Sequence, residues 1–208
     1  MLDMIPWIAV GFLSGSTPFA IIIGEIFSTK DIRNVGDGNP GAANAWKSGG
    51  WIPGMIALSL DILKGFLPVY FAIAYWGHPT DILSQIIIPV IALAPIVGHA
   101  WSPILDFNGG KALATTWGAW IALTNGLALP VGMILLGLAY IIQKNDAITV
   151  TTCLIGFLLV FLPLKELQLH IFLFWILNMA VVIWKHRLEY LNGITLRDWT
   201  TSITRIRS

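Results

Sequence analysis

Charged residues are scarce in this sequence, and cysteine is almost absent from it. Lysine, arginine, aspartate and glutamate make up 11% of the 208 residues, whereas a soluble domain normally carries about 25%. The net charge of +1 offers no basic surface, so we expect no nucleic-acid partner. The single cysteine, Cys153, lies inside an apolar run, where it can form no internal disulfide.

Two kinds of catalytic motif are also missing. The sequence contains no Gly-x-Ser-x-Gly nucleophile elbow. No group of histidines and cysteines has the spacing of a zinc site, so we expect no metal and no cofactor.

At the N-terminus Asp3 precedes the first apolar run, and the basic region of a secretory signal is lacking. This pattern favours an uncleaved first helix with its N-terminus outside.

Long apolar runs fill most of the chain, and a helix needs about 20 such residues to cross a bilayer. We place the runs at residues 4–27, 51–76, 82–106, 112–123, 126–142, 148–163 and 167–184. The uncharged stretch 112–142 would rise about 46 Å as one helix, well beyond a hydrocarbon core of about 30 Å. Because Thr124, Asn125 and Gly126 supply a break in its middle, we predict two short helices there.

The distribution of basic residues supports this division. With seven spans, the segments 28–50, 101–111, 143–147 and 185–208 share one side of the membrane. They carry the basic residues Lys30, Arg33, Lys47, Lys111, Lys144, Lys185, Arg187, Arg197, Arg205 and Arg207, against Lys165 on the other side. Cytoplasmic loops are enriched in lysine and arginine. We therefore predict one all-α domain, residues 1–208, with seven transmembrane helices, the N-terminus outside and the C-terminus cytoplasmic.

The first cytoplasmic loop has the composition of an anion-binding loop. Gly36, Gly38 and Gly41 permit positive φ, so that successive backbone N–H groups can converge on an anion. Asn39 followed by proline predicts a short helix with Asn39 as its N-cap and its free N–H groups facing the same hollow. An ordinary solvated loop is the alternative for such a cluster.

A second loop on the same face combines glycine with lysine. Gly109, Gly110 and Lys111 run directly into a predicted helix start, which places an ammonium group beside free backbone donors. A lysine at a helix mouth also occurs simply as a marker of cytoplasmic topology. Two such loops on one face favour a phosphate-binding site.

Three ionisable residues lie within or at the ends of spans. Asp61 and Lys64 are three residues apart and therefore share a helix face, as either a structural salt bridge or a functional pair. His186 ends the last apolar run on the cytoplasmic side. Its imidazole can act as a general base, bind a substrate, or simply lie at the interface.

Taken together, these motifs resemble the PlsY family, the bacterial acyl-phosphate:glycerol-3-phosphate acyltransferases. The matching elements, in family order, are Gly15-Ser16-x-Pro18-Phe19, Gly36-x-Gly38-Asn39-Pro40-Gly41-Ala42-x-Asn44, Asp61-x-x-Lys64-Gly65, Gly98-His99 with Pro103, Phe107-x-Gly109-Gly110-Lys111 with Ala114-Thr115, and His186-Arg187. The His-x4-Asp signature of soluble-type glycerolipid acyltransferases is absent.

The resemblance implies a seven-helix enzyme of the bacterial cytoplasmic membrane. It would transfer a fatty acyl group from acyl-phosphate to the 1-hydroxyl of glycerol 3-phosphate, giving lysophosphatidate and phosphate for phospholipid synthesis. Lys111 and His186 are the expected catalytic residues. The expected substrate-binding residues are Arg33, Gly36, Asp37, Gly38, Asn39, Gly41, Asn44, Lys47, Gly109, Gly110, Thr149 and Thr152.

Some positions depart from the family pattern. Asp37 replaces serine and Glu189 replaces asparagine, so that two carboxylates enter the expected phosphate site. Further changes are Ala43 for threonine, Lys47 for arginine, Ala112 for glycine, and Thr149 and Thr152 for serines. Two alternatives therefore stay open: a diverged relative with another acceptor, and a small transporter of phosphorylated solutes, which the Asp61 and Lys64 pair favours.

Overall fold

The computed structural model describes residues 4–28, 30–164 and 168–197. Within these ranges the regular structure is helical, apart from an isolated bridge between Gln143 and Leu196. The α-helices are α1 (Ile5–Ser16), α2 (Phe19–Phe27), α3 (Ala42–Gly49), α4 (Trp51–Trp76), α5 (Ile82–Ala100), α6 (Leu113–Leu123), α7 (Ala128–Ile142), α8 (Asp146–Phe161) and α9 (Leu169–His186). Short 3-10 turns lie at Ile32–Asn34, Pro103–Leu105 and Glu189–Asn192.

The apolar runs of the sequence coincide with these helices. By length and composition, Ile5–Phe27, Trp51–Trp76, Ile82–Leu105 and Leu169–His186 are long and apolar enough to cross a membrane. The helices α6, α7 and α8 are apolar but shorter. Large apolar side chains lie exposed along the helices, as at Leu13, Tyr75 and Leu159, where a soluble monomer would rarely leave extended apolar surface.

The break within 112–142 occurs where the sequence predicts it. Helix α6 ends at Leu123 and α7 begins at Ala128. Asn125 and Gly126 adopt positive φ angles of 48° and 90°, a conformation that asparagine and glycine tolerate best. The Thr124 hydroxyl accepts a hydrogen bond from the N–H of Ala128, which satisfies a donor at the start of α7.

The helix in the first loop starts later than predicted. Gly41 is the N-cap of α3 and its first residue is Ala42, so the prediction of Asn39 as N-cap was wrong. The Asn39 side chain instead accepts a hydrogen bond from the backbone N–H of Lys111 at 3.1 Å. A contact between the two glycine-rich loops therefore replaces the local cap.

Close helix packing fixes the positions of these loops. Where α4 crosses α6, a Cβ atom on Gly65 or on Gly118 would collide with the backbone of the other helix. Small residues allow such close approach, which is a common device in membrane helix bundles. On the other side of α6, Trp120 donates from its indole to Asn178 of α9 at 3.1 Å. Helix α6, and with it Lys111, is thereby held between α4 and α9.

Candidate active site

Two adjoining polar cavities lie where the glycine-rich loops meet the segments before α8 and after α9. The first, of about 220 Å³, is termed the loop cavity and is lined by Asp37, Asn39, Gly41, Lys47, Lys111 and Asp146, among others. The second, of about 430 Å³, is termed the tail cavity and is lined by Asp37, Lys111, Asn145, Asp146, Glu189 and Thr195, among others. Asp37, Lys111 and Asp146 line both.

The first loop is organised around the side chain of Asp37. Its Oδ1 atom accepts hydrogen bonds from the Asn39 N–H at 3.2 Å and from Asn44 Nδ2 at 2.8 Å. Gly36 and Gly38 have φ angles of 62° and 74°. The chain therefore curls around its own carboxylate, so Asp37 occupies the hollow in which the sequence analysis expected a phosphate.

Asp37 stays ionised despite its partial enclosure. Partial burial favours the neutral carboxyl, but the hydrogen bonds from Lys111, Asn44 and the Asn39 N–H outweigh it and lower the pKa of Asp37 to about 2. At neutral pH the loop therefore contributes a negative charge to both cavities.

Helix α3 offers backbone donors beside this loop. Its N-cap is Gly41, which has no side chain that could accept a hydrogen bond. The first N–H groups of a helix also have no partner within the helix. Gly41, Ala42, Ala43 and Lys47 all line the loop cavity. The helix start and the Lys47 ammonium thus present positive charge to one cavity wall.

Lys111 lies at the boundary of the two cavities and contacts two carboxylates. Its Nζ atom donates to Asp37 Oδ2 at 2.6 Å and also forms an ion pair with Glu189 Oε1. Partial burial disfavours the ammonium form, but the hydrogen bonds and attraction of the two carboxylates outweigh it, and the pKa of Lys111 is raised. The lysine is therefore a fixed cation, already neutralised by protein groups.

The glycines before Lys111 serve close packing. The Gly110 N–H donates to the His99 carbonyl at 3.1 Å, and a Cβ atom on Gly109 or Gly110 would collide with His99 or its neighbour. Lys185 donates to the carbonyl of Gly109 at 2.9 Å. The expectation of free backbone donors was wrong at Gly110 and Lys111, because both N–H groups are bonded within the protein.

His186 lies behind Glu189 rather than in a cavity. Its side chain is 0% exposed, and its Nδ1 atom is 2.8 Å from Glu189 Oε2. Partial burial favours the neutral form of Glu189, but the hydrogen bonds from Lys111 and His186 outweigh it and lower the pKa of Glu189. From the sequence, Glu189 was a departure from the family pattern within the expected site and not a partner of His186, although its spacing of three residues from His186 was a usable signal.

Several predicted residues lie away from both cavities. Arg33 is exposed and pairs with Asp31 at 2.7 Å. The Thr149 hydroxyl donates to the Asn145 carbonyl one turn earlier, and Thr152 is exposed. The residues Gly36, Gly38 and Asn44 shape the first loop, and Gly109 and Gly110 shape the second, but none of the five lines a cavity.

Asn145 is a cavity residue that the sequence analysis missed. Its Nδ2 atom donates to the carbonyls of Glu189 and Gly193, at 2.8 and 3.0 Å. Its Oδ1 atom caps α8 by accepting from Ala147 and Ile148. The same side chain therefore starts a helix and fixes the segment that carries Glu189, and only the capping function is readable from sequence.

Asp61, one member of the buried ion pair of α4, lies on the floor of the loop cavity. Asp61 and Lys64 are each 2% exposed and 2.7 Å apart. Lys64 also donates to the carbonyl of Thr17 at 2.8 Å. Asp61 lines the cavity together with His99, whose Nδ1 atom is 3.9 Å from it.

An apolar cavity of about 300 Å³ adjoins the loop cavity and lies between α4, α6 and α8. Leu58, Leu113 and Ala114 line both. Its remaining lining includes Ile62, Trp117, Val150, Leu154 and Phe157. The apolar cavity and the adjoining loop cavity suit a ligand with a charged end and an apolar chain.

Comparison with known proteins identifies relatives along nearly the whole chain. The family model for glycerol-3-phosphate acyltransferase matches residues 5–194. Glycerol-3-phosphate acyltransferase 1 of Thermotoga maritima is 37% identical over 203 residues, covering 90% of this chain and 97% of that protein. The glycerol-3-phosphate acyltransferase of Staphylococcus carnosus is 33% identical, covering 73% of this chain and 77% of that protein.

Crystal structures of PlsY, an integral membrane glycerol 3-phosphate acyltransferase, are similar in fold. The glycerol 3-phosphate form has a TM-score of 0.78 at 25% identity and covers 97% of this chain and 98% of that one. The lysophosphatidic acid form has a TM-score of 0.76 at 26% identity, with coverages of 91% and 90%. The resemblance read from the sequence motifs is confirmed: this chain belongs to the glycerol-3-phosphate acyltransferase family of integral membrane proteins.

Proposed function

We propose that this protein is an enzyme that transfers a fatty acyl group from acyl-phosphate to the 1-hydroxyl of glycerol 3-phosphate, giving lysophosphatidate. The observation that carries the proposal is an apolar cavity that adjoins the loop cavity, which in turn adjoins the tail cavity at Lys111. An acyl-phosphate has the matching shape, since an apolar chain ends in a charged phosphate. The relatives named above support the same acceptor.

In this arrangement the donor phosphate lies in the loop cavity. The α3 start and Lys47 face that cavity, and Lys111 stands at its boundary. The acyl chain extends along the apolar cavity, beginning at Leu58 and Leu113. Glycerol 3-phosphate then occupies the tail cavity, on the other side of Lys111.

The reaction needs no protein nucleophile, because an acyl-phosphate is already activated. The 1-hydroxyl oxygen attacks the acyl carbon, the bond from that carbon to the phosphate oxygen breaks, and inorganic phosphate leaves. Lys111 neutralises charge as it develops, and the cavity walls orient the two substrates. His186 is enclosed behind Glu189, which favours the departing phosphate as the acceptor of the hydroxyl proton.

For topology we propose one domain with seven spans, its N-terminus outside and its C-terminus in the cytoplasm of a bacterial cell. The break between α6 and α7 supports this number, because it divides the uncharged stretch into two separate apolar helices. The loops that carry Lys30, Lys47, Lys111 and Lys144 then share the cytoplasmic face. Lys165, Arg205 and Arg207, which also entered the charge argument, lie outside the described residues.

The direct test is an assay of the purified protein in nanodiscs. Palmitoyl-phosphate and radiolabelled glycerol 3-phosphate are expected to give labelled lysophosphatidate and an equal amount of phosphate. Absence of product across acyl chains of different length and lipids of different charge would refute the proposed activity. Accumulation of labelled substrate inside proteoliposomes, without conversion, would point to transport.

A further inference from the structure

The cation at the centre of the site is paired before any substrate arrives. Lys111 contacts Asp37 from the first loop and Glu189 from the turn after α9. The two carboxylates thus approach the ammonium from separate parts of the chain. A substrate phosphate needs the same ammonium group. It therefore competes with two protein carboxylates that are already paired with Lys111.

Both carboxylates are also held from behind. Asp37 Oδ1 is fixed by Asn39 and Asn44, which leaves Oδ2 directed at Lys111. Glu189 Oε2 is fixed by His186, which leaves Oε1 directed at Lys111. Each residue therefore uses one oxygen as an anchor and offers the other to the lysine. This is a built arrangement of two loops and a helix end around one ammonium group.

We propose that Asp37 and Glu189 are resident counter-anions of Lys111, which a substrate phosphate must displace, so that they determine the affinity of the site for phosphorylated substrates. The inference rests on the proposed function, since it assigns Lys111 to phosphate binding. Lys111 and Asp37 line both polar cavities, so their ion pair lies between the proposed donor and acceptor sites. A phosphate that displaces Asp37 from Lys111 therefore also removes this ion pair. A doubly charged phosphate exchanges readily with a carboxylate, whereas a singly charged anion gains little from the exchange.

The test uses amide variants, which keep the shape and remove the charge. In Asp37→Asn the retained Oδ1 atom still accepts from Asn39 and Asn44. In Glu189→Gln the amide oxygen can take the place of Oε2 and still accept a hydrogen bond from His186. For each variant we expect the KM of at least one of the two substrates, glycerol 3-phosphate or palmitoyl-phosphate, to fall about three- to tenfold. The inhibition constant of inorganic phosphate is expected to fall by a similar factor. The kcat is expected to change by less than the KM.

Asp106→Asn is the matched control. Asp106 is an exposed carboxylate in the loop before Lys111, and it makes no ion pair with a residue in the described ranges. Its φ angle of 49° suits asparagine equally well. This variant removes one negative charge from the same face and is expected to leave the KM and the phosphate inhibition constant unchanged.

The inference would be overturned if the KM and the phosphate inhibition constant were unchanged or higher in Glu189→Gln. It would also be overturned if both constants fell as much in Asp106→Asn as in Glu189→Gln. A loss of kcat with constant KM would assign the carboxylates to the chemical step and overturn it as well. Glu189→Gln decides the matter even if Asp37→Asn fails to fold, because Glu189 does not organise the first loop. Inorganic phosphate titrated calorimetrically into each protein separates this result from a failure of the proposed activity, since binding needs no turnover.

Discussion

Replacement of Lys111 by alanine tests the central role that the structure gives to this residue. The change removes the ammonium group between the two polar cavities and leaves Asp37 and Glu189 facing each other without a cation. A dianionic phosphate then meets two uncompensated carboxylates at the place where it formerly met a positive charge. Binding of substrate and stabilisation of developing charge are both lost.

The size of the effect follows from the contacts of the ammonium group. A hydrogen bond to a charged group contributes about 1.5 to 3 kcal/mol, and removal of one preorganised donor from an acyl-transfer site costs about 10²- to 10³-fold in kcat. We therefore expect kcat/KM to fall by about 10²- to 10³-fold in Lys111→Ala, or about 3 to 4 kcal/mol. Lys111→Arg keeps the charge and is expected to lose less.

A double-variant cycle identifies the cause of this loss. In the Lys111→Ala background, Asp37→Asn removes one of the uncompensated charges and is expected to restore about tenfold of the lost kcat/KM. Rates are measured with palmitoyl-phosphate and radiolabelled glycerol 3-phosphate in nanodiscs, with Lys30→Ala as a control for an exposed lysine in the first loop. Activity of Lys111→Ala within tenfold of the unmodified protein would refute the assignment.

Three further predictions concern packing, pH and the apolar cavity. Gly118→Ala would place a Cβ atom against the Ile62 carbonyl of α4 and is expected to lower the free energy of unfolding by about 1–3 kcal/mol. Gly137 has open space around it, so Gly137→Ala is expected to be neutral or stabilising. Thermal denaturation of both variants measures the difference. The pKa of Asp37 is about 2 in the folded protein, against an ordinary value of 3.8. Its contribution to the free energy of unfolding is therefore complete above pH 4 and is lost as the pH falls toward 2. In acid denaturation, Asp37→Asn is expected to lack this loss of stability between pH 4 and pH 2. Val150→Phe narrows the apolar cavity and is expected to raise the KM of palmitoyl-phosphate more than that of decanoyl-phosphate.

The helices were predictable because their signals are local. Apolar length and the Asn125–Gly126 break depend on consecutive residues, and the boundaries of α4 agree with the sequence prediction. The break at Thr17 and Pro18 was missed, since the sequence analysis treated residues 4–27 as one run. Proline alone could not have revealed it, because Pro68 lies within α4 without ending it.

The site was predictable only in part, because its geometry depends on contacts between distant residues. Asp37, Lys47 and Lys111 were found from their place in glycine-rich loops, and all three line a cavity. Arg33 has the right charge, but a neighbouring carboxylate holds it outside. Glu189 was noted as a departure within the expected site but not as a partner of Lys111, because their contact requires the turn after α9 to reach the loop before α6.

The buried pair in α4 becomes intelligible through the break at Pro18. A break in an apolar helix exposes carbonyl groups that lipid cannot satisfy, so other protein groups must bind them. Lys64 donates to the Thr17 carbonyl at 2.8 Å, and the Ser102 hydroxyl donates to the Ser16 carbonyl at 2.6 Å. Asp61 compensates the charge of Lys64 at 2.7 Å.

This arrangement connects the broken helix to the active site. Asp61 holds Lys64 on one side and lines the loop cavity on the other. Ser102 lies just after the end of α5, immediately before the 3-10 turn of the loop that leads to Lys111. The partners that satisfy the broken helix therefore also position the cavity floor and the second loop. The contacts of Lys64 favour a structural salt bridge over the transport pathway that the sequence alone left open.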